Sequence, residues 1–201
     1  MKRNSRRSTV KRRPPTGSPD ARVILGVDPG SLTTGYGVVT KDALGSIKLI
    51  ASGAIRNSPS QSIPERLHKI HCGLMNVIRE FSPSEFAIES SFYGKNAQSA
   101  LKLGQVRGVA LLAAMITGLP CHEYTPREVK QSVVGNGAAG KHQVRYMVRS
   151  LLRLGDQPLV LDTSDAIAVA LCHLNRKVSP RPSANRTWKS YVEAHPEKVA
   201  R

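Results

Sequence analysis

Four carboxylates stand where core packing does not account for them: Asp28, Glu89, Asp162 and Asp165. Asp28 closes the apolar run Arg22–Val27, and Pro29 and Gly30 then turn the chain. Glu89 closes the short apolar run Phe86–Ile88, while Asp162 and Asp165 open a helical stretch three residues apart, on one face. Strand C-termini in α/β sheets are where binding sites form. Carboxylates converging there repel one another and resist ionising together. A divalent cation removes that conflict, and oxygen ligands suit Mg²⁺ or Mn²⁺. Two such ions about 3.5–4 Å apart can activate water and stabilise the leaving oxygen in phosphodiester cleavage. Taken singly, each acid has a simpler reading. Asp162 suits a helix N-cap, Asp165 the first-turn dipole, Asp28 a turn with Pro29, and Glu89 an exposed strand end. The joint placement is harder to dismiss, and both readings stand at this point.

The elements that must position these acids follow from periodicity. Arg22–Val27, Gly35–Thr40 and Ile47–Ile55 are β-rich runs spaced closely enough for an antiparallel meander. Between residues 62 and 81 the period changes: Ile63, Leu67, Ile70, Leu74, Val77 and Phe81 mark one helix face. Ser62 caps it, with Glu65 as reciprocal partner. Phe86–Ile88 and Cys121–Tyr124 are short strands. Asn96–Thr117 is a long helix closed by Gly118 and Pro120, Arg127–Val134 and Lys141–Leu154 are helical, and Asp162–Leu174 is the last helix. A meander followed by alternating helices and strands implies a mixed α/β sheet covered by helices.

Charge narrows the partner. The chain of 201 residues carries 30 Lys and Arg against 14 Asp and Glu, a formal charge of +16, which points to a polyanion. Residues 1–20 contribute +6 and residues 176–201 +5, so the excess is concentrated in the tails. Both tails are rich in Pro, Ser and basic residues and read as flexible, with a short helix around Trp188–Val192. Three regions follow: a basic extension over 1–21, a folded domain over 22–175 and a basic tail over 176–201. Hydrophobic residues at 40% exclude wholesale disorder. No uninterrupted apolar run reaches the ~20 residues of a bilayer span, and the charged N-terminus is no secretory signal, so no membrane partner is expected. Cys72, Cys121 and Cys172 are odd in number and far apart, which fits a reducing cytosol and a cytoplasmic protein. Cys72 reads as a core residue.

At this point several segments converge. GVDPGSLTTGYGVV (Gly26–Val39), AIESSFYGKNAQSALKLGQVRGVA (Ala87–Ala110), REVKQSVVGNGAAGKHQV (Arg127–Val144) and LDTSDAIAVALCH (Leu161–His173) closely resemble the bacterial RuvC family of Holliday-junction resolvases, in the same order. The resemblance spans about residues 22–175 and leaves out both tails. It implies a ribonuclease-H-like fold, with a mixed five-stranded sheet flanked by helices. It also implies a homodimer whose two Mg²⁺-dependent sites nick opposed strands of a four-way DNA junction, in recombination and repair. Two ions per site are implied, with Mn²⁺ able to substitute. The acidic set falls on Asp28, Glu89, Asp162 and Asp165, and Lys130 and Lys141 match basic residues near the scissile phosphate. A cation there offsets charge developing on the phosphate. The resemblance further implies a partnership with the RuvA–RuvB branch-migration machinery.

Phe92 lies in the polar loop SSFYGKN, where an aromatic finds little core; it suits a wedge for an unstacked base, and Tyr93 stands beside it. Lys95, Asn96, Lys102 and Arg107 follow as candidate phosphate contacts, with a plain solvated helix face an equal reading for Lys102 and Arg107. Symmetric nicking needs two sites, and the Asn96–Thr117 helix is expected to contribute to the dimer contact. GNGAAGKH (Gly135–His142) resembles a phosphate-binding loop, but His142 replaces the hydroxyl that would hold Mg²⁺, so no nucleotide cofactor is expected. His68 and His71 read as surface and groove residues without a third ligand. Two further functions remain: a non-catalytic junction-binding protein, and a ribonuclease-H-fold nuclease for other branched or hybrid substrates.

Overall fold

The computed structural model describes residues 22–42, 45–90, 97–155 and 161–176, with the side chains of Leu161 and Asp162 outside the description. The basic extension over 1–21, all but Arg176 of the tail, and the loop carrying Phe92, Tyr93, Lys95 and Asn96 lie outside these residues. Ten elements follow in order: β1 (Arg22–Asp28), β2 (Thr33–Lys41), β3 (Ile47–Arg56), α1 (Ile63–Phe81), β4 (Glu85–Glu89), α2 (Ala97–Ile116), β5 (Cys121–Tyr124), α3 (Pro126–Val134), α4 (Lys141–Leu151) and α5 (Leu161–Asn175). The sheet order is β3-β2-β1-β4-β5. β1, β2 and β3 form the expected antiparallel meander, and β4 and β5 continue the sheet parallel to β1.

Helix ends are set by local chemistry. The Glu65 carboxylate accepts hydrogen bonds from the Ser62 backbone N–H and hydroxyl, both at 2.7 Å, which starts α1 as its spacing predicts. Thr125 and Glu128 repeat the device at α3, and Pro126 occupies the first turn, where no N–H is missed. α4 stops at Leu151 rather than Leu154, because Arg153 takes a left-handed conformation (φ 50°) that a helix cannot continue. Cys72 is exposed on α1, where its thiol lies 3.5 Å from Nε2 of His68, and so is not a core residue. Three-residue steps along a helix drift around its axis, and Cys72 falls outside the buried face of Ile70, Leu74, Val77, Ile78 and Phe81.

The sheet separates two apolar layers. Leu25, Val27, Val38, Phe86 and Ile88 face α1 and α2; Ile24, Val39, Ala87 and Tyr124 face α3, α4 and α5. Alternation along a strand therefore puts Arg22, Gly26 and Asp28 of β1, and Glu85 and Glu89 of β4, on the α5 side. Helix α5 lies almost flush on that side. A Cβ at Gly26 would stand 2.3 Å from the Ala166 carbonyl oxygen, and one at Gly37 would stand 2.6 Å from Ile167 Cγ1. Glycine at both positions thus lets helix and sheet meet at backbone distance. Ala166 through Leu171 are wholly inaccessible, so a helix that is apolar all round is explained by burial.

Helix α2 is amphipathic only weakly. It is, among the described residues, the one helix long and apolar enough to cross a membrane by length and composition, although Lys102 and Arg107 interrupt the run. One side packs Val106, Ala110, Ala113 and Ala114 into the core, while Leu101, Leu112, Met115 and Ile116 stand exposed.

Candidate active site

Parallel pairing of β1 with β4 places Val27 beside Ile88, so the next residues, Asp28 and Glu89, are neighbours on adjacent strand ends. Both point to the α5 side. The flush seat of α5 brings its N-terminal turn over the same ends, and with it Asp165. Asp162 is the second residue of that helix. Asp28, Glu89 and Asp165 line one cleft of about 290 Å³, together with Lys130 from α3 and Lys141 from α4. Five of the six residues read from sequence as reacting or phosphate-facing groups therefore meet in one place.

The electrostatics match the geometry. Burial pushes the Glu89 carboxyl up to about 7, and the charges of Asp28 and Asp165 add to the shift; Lys141 and Lys130 act against it. Lys141 Nζ lies 3.5 Å from Asp165 Oδ2 with three quarters of its side chain exposed, so it can reach both the acids and an incoming ligand. Pro126, Val129, Val144 and Ala168 form an apolar wall around these groups. That wall thins the hydration of Glu89 and was not legible as part of a site, since each residue reads as ordinary core or cap.

The donor set fits a divalent ion. Three carboxylates from three elements converge, and burial together with the charges of Asp28 and Asp165 pushes one of them, Glu89, up to about 7 despite the two lysines. Hard oxygen donors in this number suit Mg²⁺ or Mn²⁺ better than softer ions.

The described phosphate-contact candidates fare differently. Lys102 is exposed on α2. Arg107 donates to the Glu123 carboxylate of β5, with Nε at 3.0 Å, so its charge is committed within the fold.

Comparison with known proteins decides between these chemistries. A family model described as "Crossover junction endodeoxyribonuclease RuvC" matches residues 24–173. The chain belongs to the RuvC family. It is 45% identical over 178 residues to the crossover junction endodeoxyribonuclease RuvC of Salinibacter ruber, covering 89% of this chain and 99% of that one. It is 54% identical over 157 residues to that of Saccharophagus degradans, covering 78% and 90%. Among solved structures it resembles Thermus thermophilus RuvC in complex with a Holliday junction substrate, at 37% identity and TM-score 0.70, over 76% of this chain and 92% of that one. The family is one of metal-dependent nucleases, and its ribonuclease-H-like fold is the sheet and helix arrangement described above.

Sequence reasoning missed a second polar cluster on the same sheet face, at the opposite end of β4. Arg22 donates to Glu85 Oε1 through Nε at 2.9 Å and Nη2 at 2.6 Å. His173 Nε2 lies 2.7 Å from Glu85 Oε2, and the Tyr124 hydroxyl lies 2.6 Å from His173 Nδ1. An ionised carboxylate only accepts, so Nε2 of neutral His173 carries the proton and Nδ1 accepts from Tyr124. Burial would raise the Glu85 carboxyl, but the bonds from His173 and Arg22 outweigh it and hold it below the usual range. Burial holds His173 below its ordinary value, against the pull of Glu85. The signal was available: Glu85 and Glu89 are four apart in one strand and must share a face.

Proposed function

We propose that the chain resolves four-way DNA junctions by metal-dependent hydrolysis at the Asp28–Glu89–Asp165 cleft, nicking two opposed strands symmetrically. The convergence of these carboxylates with Lys130 and Lys141, in a chain of the RuvC family, carries the reading. Asp28, Glu89, Asp162 and Asp165 would hold Mg²⁺, two ions per site, with Mn²⁺ as a substitute. The bound ions would supply an activated water and neutralise charge on the attacked phosphate. Lys141 and Lys130 sit at the rim and draw the phosphate toward the acids, and their charge offsets what develops on its oxygens. A purely binding module has no use for repelling carboxylates in a cleft meant for a polyanion, which favours the nuclease over a silent junction binder.

Helix α2 supports a homodimer. Leu101, Gly104, Gly108, Leu112 and Met115 recur at steps of three and four, and the described ones at the ends are exposed: Leu101 by 66%, Leu112 by 54% and Met115 by 62%. A Cβ on Gly104 or Gly108 would meet nothing within 4 Å, so a second helix can approach closely there. Two-fold pairing through this stripe would match the symmetry of the junction. Phe92 and Tyr93 act as the wedge at the crossover, and Lys95, Asn96 and Lys102 hold phosphates beside it. The segments 1–21 and 176–201 add non-specific phosphate contacts. The cytoplasm is the compartment, and the RuvA–RuvB machinery is the protein partner.

The test is a synthetic four-way junction beside a linear duplex of the same sequence, with Mg²⁺ and with EDTA, for the wild type and Glu89→Gln. Paired nicks on the junction alone, lost in EDTA and in the variant, are the expected result. Equal cutting of the linear duplex would replace the junction reading with a broader nuclease.

A further inference from the structure

We propose that Glu85, His122 and His173 form a second metal site, for a borderline transition ion such as Zn²⁺, separate from the carboxylate cleft. The three side chains come from β4, β5 and α5, and among the described residues theirs is the one group of three His, Cys, Asp or Glu whose ligand atoms all lie within 4.8 Å of one another. They converge on one oxygen: His173 Nε2 is 2.7 Å and His122 Nε2 is 3.5 Å from Glu85 Oε2. A tetrahedral ion with bonds of about 2.0–2.1 Å needs its ligands roughly 3.3 Å apart. The His122 spacing already meets this, and a small turn of the Glu85 side chain opens the other.

The surroundings are those of a supported ligand set. Tyr124 holds His173 through Nδ1, so the proton on Nε2 can move to Nδ1 and be accepted by the phenolic oxygen when Nε2 binds an ion. Arg22 holds Glu85 by Oε1 alone and leaves Oε2 to the ion. His122 and His173 stack with ring centroids 4.4 Å apart and planes 29° apart, so the partly exposed His122 must turn out of the stack to aim Nε2 at an ion shared with His173. His173 is almost wholly buried, while His122 and Glu85 keep 29% and 21% of their side chains exposed, so an ion can enter from one side and keep a water as fourth ligand.

Charge decides which ion. Glu85 is the single carboxylate, and Arg22 already neutralises it, so the pull on a hard ion such as Mg²⁺ is small. Two imidazole nitrogens favour Zn²⁺, Co²⁺, Ni²⁺ and Cu²⁺ instead. The cleft at the other end offers the reverse preference. A bound ion would tie the start of β4 to β5 and to the last turn of α5, the two elements that carry Glu89 and Asp165 at their far ends.

The test titrates Co²⁺ into the full chain, stripped of metal, and reads the visible bands of tetrahedral Co²⁺. It is run in the wild type and in Glu89→Gln, which cripples the carboxylate cleft. One equivalent of tetrahedral Co²⁺ in both, displaced by Zn²⁺ but not by millimolar Mg²⁺, is expected. His122→Gln, at the exposed rim, should weaken binding by about 100-fold, and Tyr124→Phe by about tenfold. His68→Gln should change nothing, which separates the site from the Cys72–His68 pair. Thermal melts with and without Zn²⁺ give an independent readout: a rise in the wild type, absent in His122→Gln. Binding retained by His122→Gln, binding lost in Glu89→Gln or His68→Gln, or no Co²⁺ and Zn²⁺ uptake at 100 times the protein concentration would each overturn the proposal.

Discussion

Glu85 and Glu89 lie four residues apart on one strand, face the same helix, and are held in opposite states. Glu89 meets Asp28 and Asp165 in a cleft with an apolar wall, and its carboxyl is pushed up to about 7. Glu85 meets Arg22 and His173, and its carboxyl is held below the usual range. The same three elements, β1, β4 and α5, build both ends. At one end like charges are left facing each other; at the other every charge has its partner. The fold therefore concentrates its electrostatic conflict where a cation and a phosphate would enter, and at the other end resolves it among its own side chains. Electrostatic conflict of this kind marks a binding site better than acidity alone does.

The sharpest way to break this contrast is to neutralise each end in turn. Glu89→Gln should lower the junction-cleavage rate by about 10³-fold or more while junction binding persists, because metal-held carboxylates act in the reaction rather than in docking. Glu85→Gln should leave the rate of the folded enzyme within about twofold, since the group lies at the opposite end of β4 from the cleft. Single-turnover cleavage beside a gel-shift measures both. If the two variants lost the same activity, the division between a reacting end and a supporting end would be wrong.

Stability should move the other way. In EDTA, protonated Glu89 favours the fold, because its folded pKa is about 7 against an ordinary 4.5. That contribution is complete below about pH 4.5, declines between, and is gone above about pH 7, so ionisation at pH 8 costs about 3 kcal/mol. Glu89→Gln should accordingly be more stable than the wild type at pH 8 by up to this amount, with no difference near pH 4. Adding Mg²⁺ should stabilise the wild type and not the variant. Chemical denaturation at both pH values, with and without Mg²⁺, reads the difference.

Lys141 probes the boundary of the cleft. Its ammonium is 3.5 Å from Asp165 yet largely exposed, so it is positioned for a ligand more than for stability. Lys141→Met should slow cleavage by about 10²-fold, the scale of one lost cation or donor at a developing charge. Its melting temperature should stay within about 1–2 °C of the wild type, as for most exposed charges. A large loss of stability with little loss of rate would recast Lys141 as a structural partner of Asp165.

The sequence was informative about one end of this sheet face and nearly silent about the other. Asp28 and Glu89 stood out because each closes an apolar run, and the meander and the five later helices were legible from residue pattern. Boundaries slipped where local geometry intervened, as at Arg153, whose left-handed backbone ends α4 early. Cys72 was misread because a thiol among apolar residues looks like core, while the helix turns it outward. Glu85, His122 and His173 went unnoticed because they lie 37 and 51 residues apart along the chain, and only the parallel pairing of β4 with β5 and the seat of α5 unite them. The alternation rule would have put Glu85 beside Glu89 on one face; it could not have supplied the partners. Arg107 shows the converse, since a basic residue on a helix of a DNA-binding chain turns out to be committed to Glu123.

The smallest effect tests the supporting end. Glu85→Gln leaves the Arg22 guanidinium without its carboxylate and weakens the bond from His173, so it should cost about 1–2 kcal/mol at pH 7. The sign of its pH dependence is fixed by two groups. Glu85 is held below its ordinary 4.5, so its contribution is present above that pH and is lost as pH falls through the lowered value. His173 is held below its ordinary 6.5, so the fold favours its neutral form, and that contribution too is present above 6.5 and fades on acidification. The deficit of Glu85→Gln should therefore be full at pH 7 and shrink toward pH 3, where the wild type has lost the same carboxylate. Glu89→Gln behaves as its mirror image: near equality with the wild type in acid, and a gain rather than a loss at pH 8. Thermal unfolding of both variants across this range, in EDTA, places two carboxylates of one strand on opposite sides of the wild type. If Glu85→Gln matched the wild type at pH 7, the ion pair and hydrogen bonds at that end would be contributing nothing net, and the compensated end of the sheet would differ from the cleft only in appearance.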